Sequence, residues 1–295
     1  MPELDKPSLN SELVFDIGLH DGADTAYYLS KGYRVVAVDA NPIMVEQARK
    51  IFHKQITSGQ LEILNVGIAS TEGSLDFWIC DTVTQWSSFH KNIASRDGAK
   101  HHKIQVKTTR FEDILAKYGI PDFTKIDIEG NDRLCLEAID PDNAPTYVSA
   151  EGGKKLDLLE ILRDKGYDRF KLISQFNFLP IELSPTREER IFKARALLRK
   201  NTILARACRK IFGEVNYRRF AHPTAFDGEW HFKRGSSGPI PNDTSGSWRS
   251  FSEIVEIYEK IHNDITSGQK SIFWGESDYS FWHDIHAVHS SARSC

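Results

Sequence analysis

The fold is decided by residues 13–39, LVFDIGLHDGADTAYYLSKGYRVVAVD, near the start of the chain. An apolar run that ends at Ile17 leads into a turn from Gly18 to Gly22, and the following residues have the composition of a helix. A second apolar run ends on Asp39. Strand, glycine turn, helix, strand and terminal acid form the opening unit of a nucleotide-binding α/β sheet. The stretch therefore predicts an α/β fold.

The spacing of the glycines indicates which nucleotide this turn binds. Dinucleotide-binding turns follow G-x-G-x-x-G because their backbone approaches a pyrophosphate at a helix N-terminus. Here Gly18 and Gly22 are four residues apart, and Asp16 precedes them. A carboxylate suits the cationic amine and sulfonium of S-adenosylmethionine, which has no phosphate, and Asp39 suits ribose hydroxyls. The alternative is that the two glycines only shape a tight turn.

Four further residues near the predicted strand ends are candidate cofactor contacts. His20 lies inside the glycine turn, and Thr25 belongs to the helix that follows it. Asn65 and Gly67 come at the end of a third apolar strand, residues 61–66. Open α/β sheets bind ligands at the carboxyl ends of their strands, so Asn65 and Gly67 are expected near the adenine. The alternative for Asn65 and Gly67 is a plain strand end.

Composition bounds the class of protein. The chain has 295 residues, 40% of them hydrophobic, and a net charge of −3, which gives no indication of a nucleic-acid partner. Its four cysteines are scattered without a C-x-x-C pair, which favours reduced thiols over disulfides or a zinc site. No run approaches the roughly 18 apolar residues of a membrane span, and no signal peptide is evident. We expect a soluble cytoplasmic protein that has no integral membrane segment and does not bind nucleic acid.

A second informative stretch is residues 123–132, FTKIDIEGND. Lys125, Asp127 and Glu129 alternate along this predicted strand, so they point to one side while the chain stays extended. Such charges are costly in a buried strand unless they reach the carboxyl edge of the sheet and find partners. Lys125 is a candidate partner of either acid, which would make the group a structural ion pair. The functional alternative, which we favour, places Asp127 and Glu129 beside the reacting atoms.

Weaker candidates for a general base lie elsewhere in the first half of the chain. Residues 73–80 and 104–109 alternate like antiparallel strands, and the long segment around and between them contains His90, His101 and His102. Long segments without a period are often substrate-side loops, although most such histidines are simply solvated. Glu151 ends another predicted strand and lies before two glycines, Gly152 and Gly153.

The last third of the chain has a different character. Residues 187–212 predict a basic helix, which suits a membrane surface or an acidic substrate, although docking with the basic face in water is the commoner case and the one we favour. The tail brings together His283, Asp284, His286 and His289. Their spacing matches no common metal motif, so we predict a tail that packs on the body and no metal site.

Five segments together resemble the FkbM family of S-adenosylmethionine-dependent methyltransferases. They are VFDIGLHDG at 14–22, VVAVDANP at 35–42, SSF at 87–89, TTRFEDIL at 108–115 and KIDIEG at 125–130. The resemblance covers about residues 13–175. It implies a Rossmann-like class I methyltransferase with a doubly wound, mostly parallel seven-stranded sheet, and methyl transfer that is usually to a hydroxyl oxygen.

The resemblance also implies roles for individual residues. Asp16, Gly18 and Gly22 would line the methionine end of the cofactor, Asp39 would hold the ribose, and Asp127 would close the floor of the pocket. Family sequences usually have glutamate where this chain has Asp39, a change that keeps the carboxylate. They often carry an acid shortly after the E-G pair, where this chain has Asp132.

The resemblance and the composition together suggest a domain plan. We expect a domain over residues 1–180 that binds S-adenosylmethionine, followed by a mostly helical and loop extension over 181–295. The extension is a candidate acceptor side or lid. Residues 73–103 and 181–295 are the expected acceptor surface, and the acceptor itself is expected to be a small molecule or a carbohydrate.

Methyl transfer to a hydroxyl requires alignment of three atoms and removal of a proton. Glu129 and Asp127 are the predicted bases, and Lys125 sets which of the two stays ionised. A divalent ion held by the two acids is an alternative that we do not favour, because no third ligand is identifiable. Two other functions remain open: a nicotinamide-dependent oxidoreductase, which Asp39 fits, and a non-catalytic homologue that binds the cofactor.

Overall fold

A computed structural model of the chain describes most of its residues. The described residues are 9–152, 156–175, 178–183, 187, 190–191, 202–221, 226–228, 230–233, 235–267 and 282–292. They belong to two compact units. The first unit comprises 1–151, 157–169 and 286–295, and the second comprises 152–156 and 170–285. The domain boundary expected at residue 180 stays a prediction.

The strands form one large sheet and two small ones. They are β1 (Leu9–Ile17), β2 (Arg34–Val38), β3 (Leu61–Leu64), β4 (Gly67–Ile68), β5 (Gly73–Cys80), β6 (His101–Thr109), β7 (Ile120–Ile126), β8 (Tyr147–Gly152), β9 (Tyr167–Ser174), β10 (Phe226–Asp227), β11 (Trp230–His231) and β12 (His283–His289). The large sheet has seven strands in the order β3-β2-β1-β7-β8-β12-β9. Its pairs β1–β2, β2–β3, β1–β7 and β7–β8 are parallel. The predicted strand number is confirmed, in a sheet that is mixed rather than wholly parallel.

The part of the chain that the structure describes contains nine α-helices. They are α1 (Ala23–Ser30), α2 (Pro42–Ile51), α3 (His53–Thr57), α4 (Lys91–Ala94), α5 (Phe111–Tyr118), α6 (Asp132–Glu137), α7 (Asp157–Asp164), α8 (Thr202–Ala221) and α9 (Phe251–Thr266). Two short 3-10 helices lie at Thr84–Trp86 and Arg96–Gly98. Among the described residues, no helix combines the length and the apolar character needed to cross a bilayer.

The centre of the large sheet is the place where its order reverses. β1 is flanked by β2 on one side and by β7 on the other, so the chain winds outward in both directions from this pair. Leu13, Val14, Phe15 and Ile17 of β1 are fully buried, as expected of a parallel strand covered on both faces. Ligands bind at such a reversal, beyond the carboxyl ends of the strands. The ends of β1, β2 and β7 therefore define the candidate site.

The sequence predicts a helix over residues 42–57, with proline in its first turn, and a second over residues 111–118 that ends before Gly119. α5 has the predicted bounds, residues 111–118. The helix predicted over residues 42–57 is interrupted at Phe52, whose φ of −100° and ψ of 22° are not helical. Phe52 is buried, and its ring lies where a Cβ on Gly22 would be, so it packs against the glycine turn. A tertiary contact therefore explains the interruption.

The antiparallel pair predicted in residues 73–109 is confirmed as β5 and β6. Together with β4 these strands make a separate three-stranded sheet in the order β4-β6-β5. Phe77, Ile79 and Val106 form its own small hydrophobic core, against which Phe89 packs. The segment between the two strands contains short helices and turns, which place Ser87–Phe89 close to the large sheet.

One prediction about the last third of the chain needs correction, and another is tested only in part. The basic helix predicted over residues 187–212 is helical at 187, 190–191 and 202–212, and α8 continues past the non-helical Gly213 to Ala221. Residues 188–189 and 192–201 of the predicted helix lie outside the described residues, as does Gly153. The tail that was predicted to pack on the body instead forms β12, residues 283–289, inside the large sheet. Its histidines recur every third residue, at 283, 286 and 289, so the sequence lacks the two-residue period that indicates a half-buried strand.

Candidate active site

The turn between β1 and α1 has a backbone that only glycine accommodates. Gly18 has a φ of 99°, and its N–H and that of Leu19 both donate to the carbonyl of Val38, at 2.9 and 3.0 Å. A Cβ on Gly18 would lie 1.9 Å from the carbonyl oxygen of Asp127. His20 also adopts a left-handed conformation, with a φ of 46°. The turn therefore closes tightly over the ends of β2 and β7.

Asp39 ends β2 in the position expected for a ribose ligand. One carboxylate oxygen accepts the N–H of His20 and the other accepts the N–H of Asn41, each at 2.7 Å. Burial raises the pKa of Asp39, against the lowering effect of these two N–H groups and of the Lys125 charge. Asn65 donates to the backbone carbonyl of Asp39 at 3.0 Å. Each carboxylate oxygen retains a lone pair for a further donor.

Asp16 and Lys125 form a buried ion pair beneath the glycine turn. They are register neighbours on β1 and β7, with Lys125 Nζ 3.3 Å from Asp16 Oδ1. Lys125 also donates to the carbonyl oxygen of Gly18 at 2.7 Å, and Thr25 donates its hydroxyl to Asp16 at 2.6 Å. Both charged side chains are almost fully inaccessible. Sequence analysis offered Asp127 and Glu129 only as alternative partners of Lys125, and the structure pairs this lysine with Asp16.

The charge of Lys125 is maintained by its acidic surroundings. Burial alone would lower the pKa of this lysine, but the carboxylates of Asp16, Asp127 and Asp24 outweigh that effect and raise it well above its usual range. A lysine that stays charged is not a proton carrier at physiological pH. Its contacts instead connect β1, β7 and the turn at Gly18.

Glu129 departs from the predicted strand geometry. β7 ends at Ile126, and Glu129 lies in the following turn with a φ of 51°, so the alternation with Lys125 and Asp127 does not extend to it. Its carboxylate is 14% exposed and lies 3.1 Å from Arg96 Nη2. Burial and the charge of Asp127 raise the pKa of Glu129 to about 7, although Arg96 lowers it. Near neutral pH this carboxyl group can both accept and release a proton.

The turn that carries Glu129 is held from several sides. Ser88 donates its hydroxyl to the backbone carbonyl of Glu129 at 2.7 Å. The carboxylate of Asp132 accepts the N–H groups of Ile128 and Gly130, at 3.2 and 3.0 Å. A Cβ on Gly130 would lie 2.8 Å from the ring of His90. These contacts explain why an acid and a glycine follow Glu129 so closely in the sequence.

The candidate histidines and Gly67 have different surroundings in the structure. His90 lies at the Glu129 turn, with its ring 3.1 Å from the side-chain oxygen of Asn131. His101 and His102 lie on β6 and contact Ala99 and Asp81 instead. The ring of His20 lies 2.8 Å from the hydroxyl of Thr84. A Cβ on Gly67 would lie 2.2 Å from the ring of Phe89, so this glycine makes room for an aromatic side chain.

Glu151 and the histidine-containing tail lie on neighbouring strands of the large sheet. Glu151 is half-buried near the end of β8. His283, Asp284, His286 and His289 are buried along β12. Within the described ranges, no three metal-binding side chains come together.

Three residues of the site were missed by sequence analysis: Arg96, Ser88 and Thr84. Arg96 belongs to a 3-10 helix far from Glu129 in sequence, and no motif marks it. Ser88 falls inside the SSF segment, which carried a resemblance but no role. Only the folding of residues 81–100 onto the Glu129 turn brings these side chains to the site.

The chemistry of the site suits a cationic ligand that carries hydroxyl groups. Asp39, Asp127 and Glu129 lie at the carboxyl ends of β2 and β7, where the cationic groups are Lys125 and Arg96. The positive charge of Lys125 is already paired with Asp16. The remaining carboxylates suit ribose hydroxyls, an ammonium and a sulfonium, all of which S-adenosylmethionine possesses. The residues present therefore fit that cofactor.

Comparison with known proteins assigns the family. The model of the methyltransferase FkbM domain matches residues 16–200, which is more than half of the chain. The chain belongs to the FkbM methyltransferase family. Membership confirms the predicted family and its cofactor, S-adenosylmethionine. It favours the methyltransferase over the nicotinamide-dependent oxidoreductase. No curated protein sequence is significantly similar to this chain.

Several solved structures of methyltransferases have limited similarity to this chain. FkbM methyltransferase from Methylobacillus flagellatus KT is 16% identical, with a TM-score of 0.38, over 56% of this chain and 40% of its own length. Precorrin-6y C5,15-methyltransferase from Geobacter metallireducens is 15% identical, with a TM-score of 0.33, over 58% and 70% of the two chains. Phosphoethanolamine N-methyltransferase 2 from Haemonchus contortus, solved with S-adenosyl-L-methionine, is 10% identical over 96% and 50%, with a TM-score of 0.33. The family assignment rests on the sequence match.

Proposed function

We propose that this FkbM methyltransferase transfers a methyl group to a hydroxyl oxygen of a small molecule or sugar. The observation that carries the proposal is Glu129, a largely buried carboxyl group whose pKa is raised to about 7. A hydroxyl is a weak nucleophile, so its proton must leave as the new bond forms. A base with a pKa near the working pH is best suited to take that proton.

The residues of this chain then have distinct tasks. Bound S-adenosylmethionine supplies a methyl group on a sulfonium, and the sulfur keeps the electron pair of the broken carbon–sulfur bond. Glu129 accepts the proton of the acceptor hydroxyl. Asp39 accepts hydrogen bonds from the ribose hydroxyls, and the turn at Gly18 orients the methionine end. Asp127, the residue after β7, closes the floor of the pocket.

Asp16 and Lys125 act by positioning rather than by contact. Both are almost fully inaccessible, and each already has a protein partner within 3.3 Å. The positive charge of Lys125 also limits repulsion among the surrounding carboxylates. We therefore assign to the pair the placement of the turn at Gly18, whereas the sequence suggested that Lys125 sets which of Asp127 and Glu129 stays ionised.

Residues 73–103 supply part of the acceptor surface in this proposal. The support is that Ser88 and Arg96 of this segment contact Glu129 directly. The contribution of residues 181–295, the cytoplasmic location and the absence of a nucleic-acid partner stay predictions from the sequence.

The substitution Glu129→Gln tests the role of the base. Turnover is measured as formation of S-adenosylhomocysteine with a panel of hydroxyl-bearing acceptors, and affinity for S-adenosylhomocysteine is measured by calorimetry. We expect turnover to fall by about 100-fold or more while that affinity changes by less than about threefold. Glu46→Gln, on the exposed face of α2, is the matched control and should change neither quantity. Unchanged turnover in the Glu129 variant would remove Glu129 from the mechanism.

Calorimetry on the unmodified chain also separates the alternative functions. S-adenosylhomocysteine should bind and NAD should not, and Asp39→Asn should weaken the former by about tenfold or more because a charge-assisted hydrogen bond is lost. Binding of NAD alone would favour the oxidoreductase. Binding of S-adenosylhomocysteine without turnover on any acceptor would favour the non-catalytic homologue.

A further inference from the structure

The basic helix α8 is bent back on itself. Gly213 has a φ of 77° and a ψ of 161°, which no continuous helix contains. Ala205, Tyr217 and Ala221 nevertheless belong to one hydrophobic cluster. In a straight helix Ala205 and Tyr217 would be about 18 Å apart, so their clustering requires residues 214–221 to fold back against residues 202–212. α8 is therefore a helical hairpin whose tip is at Gly213.

Polar contacts close the hairpin near its tip. Glu214 forms ion pairs with Arg209 at 3.3 Å and with Arg218 at 2.9 Å. The guanidinium of Arg209 also lies 4.8 Å from the centre of the Tyr217 ring. The tip is thus held by contacts inside the hairpin, and its own apolar side chains do not take part in them.

Those apolar side chains point outward. Ile211, Phe212 and Val215 flank Gly213 and are 71%, 59% and 60% exposed. Large apolar side chains that are grouped on a surface, rather than scattered singly, mark a site of interaction. A wedge of isoleucine, phenylalanine and valine at the end of a narrow hairpin suits shallow insertion into an apolar medium.

The positive charge of the hairpin indicates which apolar environment its tip enters. α8 contains five basic residues, Arg206, Arg209, Lys210, Arg218 and Arg219, against the single acid Glu214. Arg206 and Lys210 are exposed and take part in neither of the ion pairs of Glu214. Exposed basic side chains beside an apolar wedge are complementary to anionic headgroups above a hydrocarbon layer.

We propose that the α8 hairpin binds the surface of an anionic lipid bilayer, with Ile211, Phe212 and Val215 inserted into the interface and Arg206 and Lys210 on the headgroups. This is peripheral binding, since no described helix is able to cross a bilayer. The proposal is independent of the methyl acceptor. From the sequence we expected this helix to dock with its basic face in water. The membrane proposal differs because the structure shows an exposed apolar tip.

Flotation of the full chain with lipid vesicles tests the proposal. Vesicles of phosphatidylcholine that contain phosphatidylserine should bind the chain at least about tenfold more strongly than phosphatidylcholine alone, and added salt should weaken the binding. The double substitution Ile211→Ser with Phe212→Ser should reduce the binding by about tenfold or more. Arg206→Glu with Lys210→Glu should reduce it comparably and remove most of its salt dependence.

Matched controls come from the first unit. Ile51→Ser changes another isoleucine that is 62% exposed, and Lys54→Glu reverses another exposed charge. Neither should alter vesicle binding. Circular dichroism should show that every variant is folded, as expected of exposed positions.

Three results would overturn the proposal. They are no binding of the unmodified chain to phosphatidylserine vesicles at low salt, equal binding to neutral vesicles, and full binding by the Ile211→Ser, Phe212→Ser variant. Light scattering measures the oligomeric state and so tests the competing possibility that the tip binds a second copy of the chain. An unmodified chain that is dimeric, with a monomeric tip variant and no lipid binding, would assign the tip to self-association.

Discussion

Arg96 Nη2 lies 3.1 Å from Glu129 Oε2, and this ion pair joins the segment between β5 and β6 to the turn after β7. Glu129 is 14% exposed, whereas Arg96 is 45% exposed and has its guanidinium 5.9 Å from the centre of the Trp86 ring. The arginine favours the ionised form of Glu129, which burial and Asp127 oppose. A residue that no motif predicts therefore opposes the rise in the pKa of the proposed base that burial and Asp127 cause.

The first prediction concerns the pH dependence of activity. Turnover requires ionised Glu129, so it should fall as the pH decreases through about 7. Arg96→Gln removes a charge that lowers the pKa of Glu129, so the midpoint should move to higher pH. We expect a change of about half a pH unit, because a partly exposed ion pair contributes up to about 1 kcal/mol. The measurement is a pH–rate profile, and Arg133→Gln, a partner of exposed Glu137, is the control. A midpoint that moves to lower pH would contradict this assignment.

The second prediction concerns stability and needs no acceptor. The pKa of Glu129 is raised from 4.5 to about 7 in the folded chain, so between these values the folded state binds more protons than the unfolded state. The free energy of unfolding should therefore fall as the pH rises through this window. Glu129→Gln should remove up to about 3 kcal/mol of that fall, measured by urea denaturation at about pH 5 and about pH 8. Glu46→Gln should leave the fall unchanged, and an equally large fall in the Glu129 variant would contradict the pKa.

The third prediction concerns the buried pair of Asp16 and Lys125. Lys125→Met leaves the Asp16 carboxylate buried beside Thr25 without its counter-charge, which should cost about 3–5 kcal/mol of unfolding free energy. Asp16→Asn should cost a similar amount. The double variant should be less destabilised than the sum of the two, because it buries no unpaired charge. Urea denaturation of the four proteins gives the coupling energy, and strictly additive effects would show that the two charges do not interact.

The fourth prediction compares two glycines with similar backbone angles. Gly18 has a φ of 99° and Gly32 a φ of 91°, so alanine is strained at both, by about 1–2 kcal/mol. An added Cβ meets nothing within 4 Å at Gly32 but lies 1.9 Å from the Asp127 carbonyl oxygen at Gly18. Gly18→Ala should therefore cost more than about 4 kcal/mol, or abolish binding of S-adenosylhomocysteine. Gly32→Ala should retain that binding, and equal effects of the two would contradict the close contact.

The sequence predicted the parts of the fold that depend on local pattern. The strands that became β1 and β2, the glycine turn between them and α5 were all recognisable, because apolar periodicity and glycine conformational freedom act over a few residues. β12 was not recognised as a strand. Its histidines are polar in sequence and buried only because strands from distant parts of the chain enclose them.

For the candidate site, spacing alone predicted that Asp16, Gly18 and Asp39 lie close together, since they belong to one continuous β-α-β unit, and their roles toward a ligand stay predictions. The partners of the charged residues were decided by tertiary structure. Lys125 pairs with Asp16 because parallel register places β7 beside β1, and Glu129 pairs with Arg96 because the segment after β5 folds onto the turn. A residue's own neighbours in sequence determine its backbone, whereas its electrostatic partner depends on which distant strand or loop the packed chain brings within a few ångströms.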